Sequence, residues 1–436
     1  MVFLCIGNNR VFKPVNLVTT NTLIVDLQYL HRERIELMVE DSSRSESSKY
    51  RWIILTLAWL VYFAFGLILS SIPPLVNIIA NDLTLSYTEM GVILGGVILM
   101  YVPLSIPIGV GIDRFGQKKM ITIGLLLISL SAMLRSLVFN FESLFIMVFL
   151  FGFGGPTISV GLAKVVASHF EGRERGLASG IYMTGAAVGS ASALALTNSL
   201  VLPLVGTWRG VFSFYGLIGF LIAFVWIILA REEAPLTKEI NTGFSIRKIL
   251  VSLLRDRNVW IVAIIGSTTF LIFYGFGNWL PTLLETKGMS PVDAGFLASL
   301  PTWIGLIGSA IIPGVAVAGS RKPLIAVLLV IEGVSIYIVG VTSGSFLLLS
   351  LIVYGIISGA MMPLMLVVMM DLPSVGADYT GIASGLFFSI GPLMGFIGPI
   401  LVGNLRDLTG DFIVPLILLA LVVEAMLLFT FFLEET

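Results

Sequence analysis

The chain has one cysteine, Cys5, and two histidines, His31 and His169. One thiol excludes a disulfide framework, and the three residues together are too few for the usual zinc or haem ligand sets. No metal site and no cofactor is expected. Charge is scarce too: 12% of residues are Asp, Glu, Lys or Arg, about half of the roughly 25% usual in soluble domains. The net charge is −1 and the basic residues are scattered through short loops, so no nucleic-acid surface is expected. No serine belongs to a recognisable nucleophile pattern with histidine and acid, and no phosphate-cradling Gly-x-x-x-x-Gly-Lys loop occurs. These gaps argue against an enzyme and against a machine driven directly by ATP.

What remains is apolar sequence, 57% of the chain. A helix needs about 20 apolar residues to cross the hydrocarbon of a bilayer. Windows of that size predict spans near 52–79, 90–111, 120–139, 144–167, 176–202 and 209–230, then 259–284, 292–316, 323–342, 346–370, 379–403 and 412–433. The expected fold class is an all-α polytopic membrane protein with twelve transmembrane helices. Six lie in residues 51–230 and six in 259–436, with a central segment at 231–258. There Phe244, Ile246, Ile249, Leu250, Leu253 and Leu254 recur near helical spacing beside Arg247, Lys248 and Arg255. That pattern reads either as a basic helix on the membrane surface or as an extension of the seventh span. Residues 1–50 are expected to be a cytoplasmic tail. Asn8, Asn9, Arg10, Lys13 and Pro14 interrupt any signal-peptide core. Met38 opens a polar run into the first span, so 1–37 reads either as a mis-called start or as a disordered extension.

Orientation follows from the basic residues. One set of segments holds Arg51, Arg114, Lys118, Lys119, Arg173, Arg175, Arg231, Lys238, Arg247, Lys248, Arg255, Arg257, Arg321 and Lys322, while the other holds Arg209, Lys287 and Arg406, with Arg135 nearby. The richer set is expected inside the cell, with both termini. Arg135, near the outer end of the third span, and Lys164, near the inner end of the fourth, are expected to snorkel to the interfaces.

The halves repeat. Ser86–Gly91 recurs at Ser290–Gly295, Gly176–Gly180 at Gly381–Gly385, and Pro74 at Pro281, all at an offset near 205 residues. Ser followed three residues later by Glu or Asp is a helix-start pattern. The glycine pairs predict close helix approach. Two related halves around a midplane cavity can rock and expose it to each side in turn.

The loop Gly109-Val-Gly-Ile-Asp113-Arg114-Phe-Gly116-Gln-Lys118-Lys119 resembles the signature loop of the major facilitator superfamily, with a degenerate second copy at Gly314–Lys322. The resemblance covers about residues 50–433. It implies the twelve-helix fold, a secondary transporter, and a gating role for this loop. Asp113 would sit at the start of the eleventh helix, near Thr380–Gly381, and clasp the halves together, while Arg114 would pair with an acid such as Asp371. The stretches Phe170–Gly180 and Gly206–Phe212 resemble the anion-carrying branch that includes nitrate, nitrite and cyanate porters. The arginines of nitrate carriers are missing from the second and eighth spans, so nitrate is not carried over.

The same resemblance makes spans one, two, four and five, with seven, eight, ten and eleven, the cavity lining. Their middles hold almost no charge. Candidate substrate contacts are Tyr62, Thr157, Tyr182, Thr184, Tyr274, Asn278, Trp279, Trp303, Tyr354 and Phe388, with Ser70, Thr269, Thr302 and Ser389 in support. Such side chains suit stacking and a few hydrogen bonds, or simple helix packing. Glu332 and Glu424 lie mid-span in the ninth and twelfth helices, as proton-coupling sites or as a neutral pair between neighbours. The expected activity is alternating-access transport of a small solute, with lipid around the protein and a coupling proton or other ion, by a monomer. The signature loops favour uptake of a small organic or inorganic anion; the uncharged cavity favours drug or metabolite export. A non-transporting sensor is the reading from another class.

Overall fold

The computed structural model describes residues 50–231, 246–316 and 320–434, leaving out the side chains at 106, 246–250 and 376–381. The expected tail, including the choice of start at Met38, lies outside these described residues. So do most of the central loop and the core of the degenerate second loop copy.

Among the described residues every regular element is a helix. Twelve are long and apolar enough to cross a membrane, with 19 to 34 residues each. At 1.5 Å per residue, about 20 residues cover the roughly 30 Å of hydrocarbon. The first span, Tyr50–Leu83, is interrupted after Leu69 and resumes through a tight turn at Pro73–Leu75, because Pro73 and Pro74 have no N–H to continue the ladder. The second runs as Tyr87–Leu99 and Tyr101–Phe115. Pro103 cannot donate to the carbonyl of Leu99, and the helix parts at Met100.

The third to sixth spans are Gln117–Leu134, Phe141–His169, Gly172–Leu196 and Trp208–Leu229. A short helix, Ile246–Arg255, precedes the seventh span. It is separate from that span rather than an extension of it, because Asp256 breaks the run and caps the next helix with its carboxylate. The seventh to twelfth spans are Arg257–Thr286, Pro291–Val315, Arg321–Val341, Gly344–Met370, Gly376–Thr409 and Ile413–Phe431. The eleventh starts at Gly376, a few residues before the expected boundary.

Helix starts follow local chemistry. Ser86 Oγ accepts from the N–H of Glu89, whose carboxylate accepts from the Ser86 N–H in return. Ser290 accepts from the N–H of Asp293 in the matching place. Repetition also shows in the packing. The first span lies on the fifth so closely that a side chain at Gly66 or Gly189 would strike the partner's backbone. Its counterpart, the seventh on the eleventh, brings Gly275 against Gly398. The third packs along the fourth and sixth, and the ninth along the tenth and twelfth. Across the halves, the second span lies along the eleventh and the fifth along the eighth.

Candidate functional site: two helix ends and a central hydroxyl cluster

The second and eleventh spans run in opposite directions. Where the second begins and the eleventh finishes, the halves are tied. Asp407, near the finish of the eleventh span, accepts hydrogen bonds from the backbone N–H of Tyr87 at 3.1 Å and of Thr88 at 2.7 Å, and from the Thr88 hydroxyl at 2.6 Å. These are the first residues of the second span, whose N–H groups have no partner inside the helix. A carboxylate there also meets the positive end of the helix dipole. Arg406 lies over the Tyr87 ring at 5.0 Å. Close by in sequence, Asn77 donates to the Glu285 carboxylate at 2.5 Å, and Asn198 donates to the Pro291 carbonyl at 3.3 Å. Small residues permit this contact: a side chain at Gly91 would strike Pro399, one at Gly95 would strike Phe396, and one at Gly295 would strike Leu194.

The other end of the pair is arranged differently. Asp113 Oδ1 takes the Lys164 ammonium at 2.6 Å, and Lys164 also donates to the Gly109 carbonyl at 2.9 Å. Lys164 reaches the exposed carboxylate at the end of the second span and is held there by the signature loop of its own half. Asp371 is bound by Arg321 at 2.6 Å, so the expected Arg114–Asp371 pair gives way to one within the second half. Arg114 lies over Phe115, its guanidinium 5.4 Å from the ring centre. Gly116, at φ +90°, makes the turn into the third span that only glycine adopts easily. Lys118 contributes its carbonyl to Thr122 and Trp226. The surroundings of Gly381 lie outside the described residues. At Gly109, Gly176, Gly180, Gly314 and Gly385 an added methyl would meet nothing within 4 Å among the described atoms. The close helix approach expected at the Gly176–Gly180 and Gly381–Gly385 repeats is thus not made at Gly176, Gly180 or Gly385.

Between the two ends lies a group of hydroxyls. The Tyr101 phenol, just past the break in the second span, sits 3.3 Å from Ser159 Oγ of the fourth. Its ring covers Gly155, where any side chain would collide with it. Tyr62 of the first span reaches toward the same serine and packs against the ring of Tyr182 of the fifth, tilted at 38° with centroids 5.6 Å apart. Tyr274 of the seventh packs on Gly395 and Ile98 at the junction of the halves, within electrostatic range of Tyr62 and Tyr101. Tyr101 and Ser159 are absent from the candidates read in the sequence. The two prolines after Tyr101 were the signal for it, since a broken span exposes backbone and aims side chains inward.

The other candidates separate by position. Asn278, one turn beyond Tyr274, is half-buried and has no side-chain hydrogen bond among the described residues. Trp279 is spent on the tied end: it is 2% exposed, donates to the Pro399 carbonyl at 2.9 Å and packs on Tyr87 and Phe412. Thr157 is buried against Gly124 of the third span, and Thr184 accepts from the Trp59 indole at 2.9 Å. Tyr354 is buried on Phe276 at 4.6 Å. These four are helix-packing residues. Phe388 keeps an open face beside Phe270 and Phe387, and Trp303 is likewise open.

Three charges lie outside this centre. Arg135 is fully buried, not snorkelling; it donates to Ser71 at 3.3 Å and Ser131 at 3.2 Å, with Phe151 and Phe212 on either side at 5.8 Å. It pins the interrupted end of the first span to the third. Glu332 is buried, and its Oε1 has no hydrogen-bond partner among the described residues. Glu424 of the twelfth span lies against Gly333, beside a groove lined by Val334, Tyr337, Ile417 and Leu421.

Known proteins share this architecture. The chain is 27% identical to a hexuronate transporter of Bacillus subtilis, across 77% of this chain and 83% of that one. It is 25% identical to a probable galactarate/D-glucarate transporter, GudP, of the same organism, across 84% and 88%. The fold matches a bacterial homologue of the human lysosomal transporter Spinster, in an inward-facing and occupied conformation, with a TM-score of 0.73 and 17% identity over 88% of this chain and 97% of that one. The family model of the Major Facilitator Superfamily matches residues 58–434, almost the whole of the membrane region. With its twelve helices, paired halves and signature loop, the chain belongs to the Major Facilitator Superfamily.

Proposed function

We propose that this protein is a secondary transporter that takes up a small organic anion across the cell membrane by alternating access. The observation that carries the reading is the unequal treatment of the two ends. The halves are joined by hydrogen bonds and close backbone contact around Asp407, whereas Asp113 and Asp371 are each bound within their own half. This is the arrangement of a carrier open at the Asp113 end. The excess of basic residues on that side supports placing it, with both termini, in the cytoplasm. The names of the relatives, for hexuronate and for galactarate or glucarate, supply the organic-anion class.

A carrier with no ATP-binding motif draws on an ion gradient or on the solute's own gradient, and Glu332 and Glu424 are the intramembrane carboxylates through which a proton could couple. Among the described residues no cationic side chain stands around the tyrosines, which favours a second reading, export of an uncharged metabolite or drug. Reconstitution in proteoliposomes distinguishes the two. Uptake of labelled D-glucuronate, accelerated by an imposed pH gradient and abolished in Asp113→Ala, is the expected outcome. Absence of organic-anion flux alongside efflux of neutral compounds would replace this reading with export.

A further inference from the structure

The hydroxyl cluster at the centre is built from four spans and both halves, yet it contains no charge. Its proton accounting is informative. Ser159 gives its own proton to the Gly155 carbonyl at 3.3 Å, so its oxygen faces the phenols as an acceptor. Tyr101 and Tyr62 both approach that one oxygen. Tyr274 has no hydrogen-bond partner among the described residues, although it lies within electrostatic range of the other two phenols. The serine oxygen has two lone pairs and can accept from both phenols, so the Tyr274 hydroxyl alone is uncommitted among the described residues. An acceptor entering beside the break in the second span would draw the Tyr62 and Tyr101 donors away from Ser159. Such a site recognises an acceptor-rich group, such as a carboxylate or a set of hydroxyls.

Among the described residues no cationic side chain stands at the same place. Lys164 follows Ser159 by five residues, roughly 7.5 Å along the helix axis. Its ammonium is already neutralised by Asp113 at 2.6 Å. Arg135 is enclosed by Phe151, Phe212 and the serines, away from the phenols. Three neutral phenols can supply the hydrogen bonds of a single carboxylate. A second carboxylate on the same molecule would lose its water with no cation to replace it.

We propose that the hydroxyls of Tyr62 and Tyr101, gathered at Ser159, together with that of Tyr274 at the junction of the halves, form an uncharged subsite that accepts solutes with one anionic group and rejects those with two. The inference rests on the transport reading and narrows its substrate class. Three of the four residues belong to the first half and Tyr274 to the second, so rocking the halves assembles and disperses the donor set, as binding and release require.

The test uses purified full-length protein in proteoliposomes with D-glucuronate, D-glucarate and D-glucose, which share a six-carbon skeleton and carry one, two and no carboxylates. Glucuronate uptake at least tenfold faster than glucarate uptake at equal concentration is expected. The substitutions Tyr62→Phe, Tyr101→Phe and Tyr274→Phe remove one oxygen each and keep the rings. Each is expected to weaken half-saturation by glucuronate about tenfold, with the unfolding temperature unchanged. Glucarate carried as fast as glucuronate would overturn the subsite while leaving the transporter standing. So would glucuronate uptake unaffected in the triple phenylalanine variant. No flux of any of the three, with binding also absent by intrinsic tryptophan fluorescence, would count against the transport of sugar acids itself and remove the subsite with it.

Discussion

The second and eleventh spans form one antiparallel pair with two unlike ends. Each of the two helices carries an aspartate near its finish, Asp407 in the eleventh and Asp113 in the second. Asp407 is engaged with the N–H groups of Tyr87 and Thr88, and Asp113 is turned to Lys164. A carboxylate at a helix N-terminus contributes about 0.3–2 kcal/mol, and a hydrogen bond to a charged group about 1.5–3 kcal/mol. Exchanging one such set for the other costs little overall, as two states of a carrier require if ligand is to shift their populations. The difference between the ends points to a device with two carboxylate latches, of which one is closed at a time.

The comparison can be broken most severely at the glycines. Gly189 and Gly180 lie on the same span, but a side chain at Gly189 would strike the Phe63 backbone and one at Gly180 meets nothing within 4 Å. Gly189→Leu is expected to abolish folded protein, read as loss of the monodisperse peak in size exclusion, because overpacking against backbone has no rotamer escape. Gly180→Leu and Gly385→Leu are expected to fold normally and to lose more than tenfold in transport, since the Asp113 end could no longer close. Normal transport by both would mean that these glycines never meet a partner.

Asp407→Ala comes next in size. It leaves the first N–H groups of the second span without their acceptor and is expected to raise the labelling rate of a cysteine placed at Thr88 about tenfold. A smaller effect is expected of Lys164→Met. Freed from its partner, Asp113 should favour closure of its end, slowing by about threefold the labelling of a cysteine at Gly109. Arg135→Met should act on stability alone. Removing a buried cation together with its hydrogen bonds to Ser71 and Ser131 exchanges desolvation cost against lost bonds. The unfolding temperature should shift by a few degrees, on the order of 1 kcal/mol, with transport kinetics retained.

Much of the fold was legible because membrane helices announce themselves by length and their starts by capping residues; Ser86 with Glu89 and Ser290 with Asp293 behave as their spacing predicts. Both ends of the central pair were harder. Asp113 stood out because it belongs to a signature, whereas Asp407 has no motif, and its partners lie more than 300 positions away. Lys164 and Arg135 show a second limit. A lone cation near a span's end looks the same in sequence whether it reaches for water or for a neighbour, and here both found neighbours. Trp279 misled for a related reason: an aromatic near a predicted cavity is also the best filler for a helix junction. Ser159 lay in a stretch that looked like plain hydrophobic span and Tyr101 was marked only by the prolines that follow it; folding brought the two to Tyr62.

The claim that the two ends alternate is tested most directly by measuring both distances in one protein. Spin labels on cysteines at Lys118 and Lys322 report the Asp113 end, and labels at Thr84 and Leu408 report the Asp407 end, each pair measured by double electron–electron resonance across a titration with transported solute. The account predicts two populations at each end whose weights move in opposite directions, one end shortening as the other lengthens. Distances that shorten together, or an Asp407 end that stays closed while the other moves through its full range during turnover, would contradict it.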